Sequence, residues 1–338
     1  MATYNSIKGF KVQSLASDPS PVTIGQMWYD TATDDLKYTG KSTAWSSTPN
    51  LNTARAYGTG VGTTSAALLI DGNIPATTDA TEKWDGSTWT SVNSTNIPSA
   101  TRGSAGTTTA AIVFGGNPAT GATELYDGTC WTTSPASLNL ARTQVGPIGQ
   151  VNTAVLAVSG GYNYPPIGQT ETWDGTSWTA GNNLGTPRGI GQGSCGTTVA
   201  GIAVGGDSYN PGTGPPSIPT RVRDNTEEYN GTTWTAGNVC NTARMEAGCV
   251  GISQTAAVLM GGGGVSPPGA DLNSTEIYDG TSWATSPAIL ATARRAAGKN
   301  TGGTSTAAMY IGGSPVAGTG NVVEEFGLGP TTKTVTVS

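Results

Sequence analysis

One phrase recurs five times in this chain, most cleanly as TEIYDGTSWATS from Thr275 to Ser286. A Glu, an aromatic residue two positions on and a Trp five positions further keep fixed offsets, and successive copies stand 42 to 56 residues apart. Of the two ways to use 338 residues, two average domains or one large repetitive one, this periodicity selects the second. Each unit is too short to bury its own apolar face and must stack on its neighbours.

The unit reads as a series of slots. An Arg opens it: Arg55, Arg102, Arg142, Arg188, Arg244 and Arg294, six of the nine arginines in the chain. A Gly-rich stretch follows ("GTGVG", "GIGQG"), then an apolar run ("AALLI", "AAIVF", "AAVLM") closed by a glycine pair. The pairs are Gly115-Gly116, Gly160-Gly161, Gly205-Gly206, Gly261-Gly262 and Gly312-Gly313, with Asp71-Gly72 as a degraded first copy. After a loop comes Glu82, Glu124, Glu171, Glu227, Glu276 or Glu324, and two residues later Trp84, Tyr126, Trp173, Tyr229, Tyr278 or Phe326. Trp89, Trp131, Trp178, Trp234 and Trp283 complete the first five units.

These slots predict four strands per unit: the Gly-rich stretch, the apolar run, the Glu-x-aromatic segment and the Trp segment. Asp-Gly between the last two is a hairpin signal, since glycine accepts the positive φ a tight turn demands. The composition agrees with an all-β chain. Fifty glycines and 20 prolines supply turns, while nine Trp, eleven Tyr and the apolar runs supply a core. Four-stranded units of this length predict propeller blades, with small residues on the innermost strands and aromatic rings filling the wedges between blades.

The sixth unit has no Trp after Phe326, whereas Trp45 stands alone near the start, in "LKYTGKSTAW". The N-terminal segment is therefore expected to supply the outer strand of the last blade and close the ring, removing open sheet edges. Six blades are expected; seven is the alternative, because Tyr38 gives one more copy of the aromatic slot. The domain reading is an N-terminal strap over 1–50, a propeller over 51–326 and a C-terminal strand or tail over 327–338. Six Arg and six Glu in a chain that is 11% charged predict six ion pairs tying loop to strand; a functional ring of arginines is the alternative.

The Gly-Gly, aromatic and Trp slots resemble the kelch repeat, a family whose fold is the β-propeller. More narrowly, "TAR…GTTTAAIVFGG…TELYDGTCWT", preceded by "LASDPSPVTIGQMWYDTATDDLKYTG", is similar to the kelch-like propeller proteins of tailed bacteriophages, those of marine bacteria among them. In that group the G-x-[MIV]-W-Y-[DN]-T-x-T opening, here Gly25 to Thr33, is frequent in virion structural proteins and tail-fibre components. The resemblance implies a virion component (fibre, tail tip or capsid decoration), made in the host cytoplasm, with other virion proteins as partners. It implies no catalytic residue.

The remaining chemistry is read mostly by exclusion. Histidine is absent, and with it the commonest general base and transition-metal ligand. No Gly-x-Ser-x-Gly elbow and no phosphate-cradling GxxxxGK[ST] occurs. Asp30, Asp34 and Asp35 do not meet EF-hand spacing. A net charge of −6 argues against nucleic acid, and no 18-residue apolar run or secretion signal is visible. Catalytic residues, metal and cofactor are accordingly all expected to be none. Cys130, Cys195, Cys240 and Cys249 read as free thiols, with a Cys240–Cys249 disulfide as the alternative. The segments Asn73–Ala80 and Asn117–Ala122 read as short loops between second and third strands, and those at 162–169, 207–225 and 263–274 as long ones on consecutive blades. Tyr162, Tyr164, Asp207, Tyr209, Arg221 and Arg223 in these loops are the candidate contacts for a protein partner or, alternatively, a host-surface glycan or receptor. A homo-oligomer is a further option, with "KTVTVS" at the C-terminus alternating like an edge strand.

Overall fold

A computed structural model describes residues 12–21, 25–161, 166–208, 221–265, 269–315 and 320–335. The chain forms two compact units: Met1–Ala44 with Gly327–Ser338, and Trp45–Phe326. The larger unit is a six-bladed β-propeller.

Blade 1 runs through Thr59–Thr63, Ala66–Ile74, Ala76–Trp84 and Trp89–Val92, and blade 2 through Gly103–Thr107, Ala110–Phe114, Thr123–Tyr126 and Trp131–Thr133. Blade 3 comprises Gly146–Val151, Ala154–Gly160, Ile167–Trp173 and Trp178–Ala180; blade 4, Ser194–Thr197, Ala200–Val204, Thr226–Tyr229 and Trp234–Gly237. Blade 5 is built from Gly248–Ser253, Ala256–Met260, Thr275–Tyr278 and Trp283–Thr285. In blade 6, Gly298–Lys299 and Ala308–Ile311 are followed by the strand Val323–Thr334. The outer strand is the end of Asp35–Thr48, from Trp45 onward. Each first strand lies against the next blade's, and blade 6 meets blade 1, so the ring is closed.

The aromatic slots explain the wedge packing. Trp84–Trp89, Tyr126–Trp131, Trp173–Trp178, Tyr229–Trp234 and Tyr278–Trp283 place their ring centroids 4.8–5.4 Å apart, and Trp45–Phe326 repeats the geometry at 5.2 Å. Four of the outer tryptophans also reach back to the preceding blade. Trp178, Trp234, Trp283 and Trp45 donate their indole N–H to Thr123, Thr170, Thr226 and Thr275, at 2.8–3.1 Å. That threonine always precedes the repeat Glu. Blade 6 has Val323 there, and the indole nitrogen of Trp89, which follows it around the ring, is buried without a partner.

Three expectations change. Tyr38 belongs to the smaller unit, where it pairs with Met27, and founds no seventh blade. In blade 3 the residues equivalent to the glycine pair are Ser159-Gly160 (φ 57° and 136°), with Gly161 (φ 107°) one position beyond them. A Cβ on Gly160 would meet the carbonyl oxygen of Thr143 at 2.7 Å, just as one on Gly206 would meet that of Gly189, so these are the equivalent positions. Residues 73–80 form no loop: Ile74 pairs with Ala76, and the second and third strands of blade 1 simply run on to a turn.

In the smaller unit, Gln13–Leu15 pairs parallel with Met27–Asp30, which pairs antiparallel with the start of Asp35–Thr48. Trp28 is fully buried, and Val335 donates its N–H to Leu36 at 2.8 Å. Asp30 is held by Lys37 at 2.6 Å, which lowers its carboxyl below the usual range. Residues 336–338 lie outside the described part. Among the described residues no helix is long and apolar enough to cross a membrane.

Candidate functional site

The six Arg–Glu slots form a clasp in every blade. Arg55–Glu82, Arg102–Glu124, Arg142–Glu171, Arg188–Glu227, Arg244–Glu276 and Arg294–Glu324 are ion pairs in which no side chain is more than 6% exposed. Each carboxylate also accepts backbone N–H groups from the loop that carries the Arg, such as Asn52 at 2.8 Å, Asn139 at 2.7 Å and Asn241 at 2.6 Å. The guanidinium donates onward to a carbonyl of the second strand: Leu69, Ala157, Ala203 or Tyr310. Burial pulls the guanidinium of Arg55, Arg142 and Arg188 down, and the paired Glu opposes it. A buried charge needs such a counter-charge. None of these arginines points a free guanidinium into the axis.

The loop phrase is longer than the lone Arg suggests. Leu51-Asn52-x-x-Arg55, Leu138-Asn139-x-x-Arg142 and Cys240-Asn241-x-x-Arg244 share a buried apolar anchor, then an Asn whose side chain donates to the carbonyl of Trp89, Trp178 or Trp283. This signal is legible in the sequence. It explains Cys240 as a leucine substitute, its thiol pushed up to about 12 by burial. Cys240 and Cys249 are both free and form no disulfide; the sulfur neighbouring Cys249 is that of Cys195.

Blade 2 departs from the phrase. Thr95-Asn96-Ile97-Pro98-Ser99 places Ser99 where the Arg backbone should be, and Arg102 fills the guanidinium site from three residues further on. Thr95, in the leucine position, donates to Asp71 at 2.6 Å; Asp71 stands at the first glycine position of blade 1 with φ 57°. Arg102 thus faces two carboxylates, Glu124 at 2.8 Å and Asp71 at 3.3 Å. Burial pushes the Asp71 carboxyl up to about 7.

Beyond each clasp the chain turns toward the axis through one left-handed residue: Tyr57, Thr101, Gln144, Gly191, Glu246 and Ala296, with φ between 51° and 60°. Five of the six are not glycine, a conformation that costs on the order of 1 kcal/mol or more per residue. The reason is a belt of backbone hydrogen bonds from blade to blade. Ala296 donates to Glu246 at 2.9 Å, Tyr57 to Ala296 at 2.6 Å, Thr101 to Tyr57 at 2.9 Å and Gly191 to Gln144 at 2.9 Å. These residues line a depression at one mouth of the axis, together with Gly58, Gly189, Ile190, Gln192 and Asp207.

The mouth is polar and largely neutralised internally. Glu246 accepts from Tyr57 and pairs with Arg295 at 3.2 Å; Arg295 also meets Asp271 at 3.4 Å. Burial raises both the Glu246 and Asp271 carboxyls, and Arg295 opposes the shift. Asp207, nearly buried, is clamped by Arg221 through both carboxylate oxygens, and Arg223 donates to Ser208 at 3.0 Å. The floor is closed by Gln192, which donates across the axis to Thr59 and to the Arg102 carbonyl, both at 3.2 Å. Below it Lys299, fully buried, donates to the Ser194 carbonyl and, at 2.7 Å, to that of Cys249. The axis is therefore plugged.

Of the six loop residues singled out from the sequence, Asp207, Arg221 and Arg223 come together at the mouth, next to Glu246 and Tyr57, which sequence reasoning missed. Tyr162, Tyr164 and Tyr209 lie outside the described residues. Among the described residues no group of three or more acidic or cysteine side chains could hold a metal ion.

No family model and no curated protein matches the chain. Among solved structures, the one described as "Structure of YjhT" is similar with a TM-score of 0.62 at 14% sequence identity, over 85% of this chain and 99% of that one. At that identity the likeness speaks for the β-propeller fold alone.

Proposed function

We propose that this chain is a non-catalytic structural protein of a tailed-phage particle: a kelch-like propeller on the virion, at a tail fibre, tail tip or capsid surface, working through protein–protein contacts with other virion proteins. The observation that carries the reading is on the end of the propeller formed by the hairpins between first and second strands. There Val151 (48% exposed), Val199 (66%) and Ile252 (51%) stand out on three consecutive blades. Aliphatic side chains grouped on adjacent hairpins mark a contact surface more than single exposed residues do. The N-terminal phrase from Gly25 to Thr33 and its likeness to virion proteins support the location. The clasps support a rigid module, because they commit all six repeat arginines to the scaffold.

The test is localisation. An antibody against the purified protein should label intact particles at one site. Val151→Ser, Val199→Ser and Ile252→Ser together should keep the melting temperature while lowering incorporation. Unlabelled particles, or full incorporation of the triple variant, would count against the reading.

A second reading, a lectin-like module for host-surface glycan, is favoured by the mouth. Asp207, Tyr57 and Gln144 place hydrogen-bonding groups around the depression, and Arg221 clamps Asp207 at its edge. A glycan array should then show binding that Tyr164→Ala, Tyr209→Ala and Arg221→Ala each weaken. A blank array would remove this option and leave the first untouched.

A further inference from the structure

We propose that Cys195 and Cys249 form a latent cross-blade dithiol, a site at which a small peroxide oxidant joins blades 4 and 5 by a disulfide. Cys195 lies in the innermost strand of blade 4 and Cys249 in that of blade 5, and these strands adjoin. Their sulfurs are 3.3 Å apart, and both side chains are buried. A disulfide bond is ~2.05 Å long, so a shift of little more than ~1 Å, within reach of small side-chain rotations, closes the gap. Gly251 packs its bare Cα side against the pair: a Cβ there would stand 3.2 Å from the Cys195 sulfur.

A second group makes the pair more than packing. The Lys299 ammonium is fully buried and held by two neutral acceptors, the carbonyls of Ser194 and Cys249, one adjacent to each cysteine in sequence or part of it. Burial pushes the Cys195 thiol up, while the hydrogen bond from Cys195, with the Lys299 charge adding to it, brings the Cys249 thiol down, so Cys249 is the sulfur that ionises first; burial also lowers Lys299 itself. The Cys249 N–H donates to the Gln192 carbonyl at 2.9 Å, so the dithiol lies one hydrogen bond below the floor of the axial mouth.

The step balances without further reagents. A Cys249 thiolate attacks one peroxide oxygen, the O–O bond breaks, and the departing hydroxide takes up the released proton as water. The resulting sulfenic acid is attacked by the Cys195 sulfur, and its hydroxyl leaves with the Cys195 proton as a second water. Two thiols are oxidised to one disulfide and one peroxide is reduced to two waters.

The wild-type protein suffices for the test. Exposed Cys130 is first blocked on the native protein with N-ethylmaleimide, and millimolar hydrogen peroxide is then added and quenched. The protein is unfolded in iodoacetamide and mapped by mass spectrometry. Only Cys240 should be newly alkylated, a linked Cys195–Cys249 peptide should appear at two hydrogen masses below the sum of its halves, and dithiothreitol should dissolve it. Closing this long loop should also raise the melting temperature by a few degrees, reversibly with reductant. Recovery of both cysteines as free alkylated thiols, their separate conversion to sulfinic acids, or a link involving Cys240 would each overturn the proposal.

Discussion

The clasps and the mouth make an instructive contrast. Six clasps use the same two residues, Arg and Glu, joined by the same buried ion pair. Six mouth positions share one backbone conformation but carry Tyr57, Thr101, Gln144, Gly191, Glu246 and Ala296, all different. In the clasp the side chain is the structure: a buried guanidinium tolerates no substitute, as blade 2 shows by importing Arg102 from another backbone position to fill the site. At the mouth the backbone hydrogen-bonded belt is the structure, and the side chains are left over for other uses. A repeat protein thus varies where its main chain carries the load.

The sharpest way to break this contrast is to open the ring. A chain that begins at Asn52 loses Trp45 and the outer strand of blade 6, and should aggregate or melt without cooperativity, as followed by light scattering and calorimetry. Normal melting would mean that closure is dispensable. Within the intact ring, Glu276→Ala strands the Arg244 charge and should cost about 3–5 kcal/mol in urea unfolding. Gln144→Ala at the mouth should change stability by no more than about 0.5 kcal/mol. Equal costs would erase the distinction between the two regions.

Blade 1 offers a pH test. The Asp71 carboxyl, at about 7 in the folded chain against 3.8 unfolded, holds a proton that the unfolded chain releases. Its contribution is fully present below pH ~4, fades as pH rises toward 7 and is lost above. Asp71→Asn keeps an acceptor for Thr95 but cannot titrate. The fall in unfolding free energy between pH 4 and pH 8 should therefore be smaller in the variant, by about 3 kcal/mol; parallel pH profiles would contradict the shift. The smallest effect is expected at Val323→Thr, which gives blade 6 the hydroxyl that blades 2 to 5 offer their neighbour's Trp. It should gain about 0.5–1 kcal/mol, and only while Trp89 is present, as a double-mutant cycle with Trp89→Phe would show.

Much of the scaffold was legible because it is repeated. Glu, aromatic and Trp at fixed offsets specify a strand, a hairpin and a wedge-filling ring, and the Trp missing after Phe326 and found at Trp45 specifies closure. Registers were less legible. Ser159 replaced a glycine and Ser99 an arginine without leaving a gap in the pattern, since glycine and arginine occurred one and three residues later. Cys240 read as a free thiol, but its place in the leucine series was not recognised.

The sequence by itself determined the blade, because strand periodicity, turn residues and aromatic spacing are local properties that each copy restates. Only the tertiary structure decided what meets at the axis. Glu246 with Tyr57, Gln192 with Thr59 and Cys195 with Cys249 come from different blades, and no spacing along the chain encodes them. They are set by the radial closure of six sheets, which turns residues 50 to nearly 200 positions apart into neighbours.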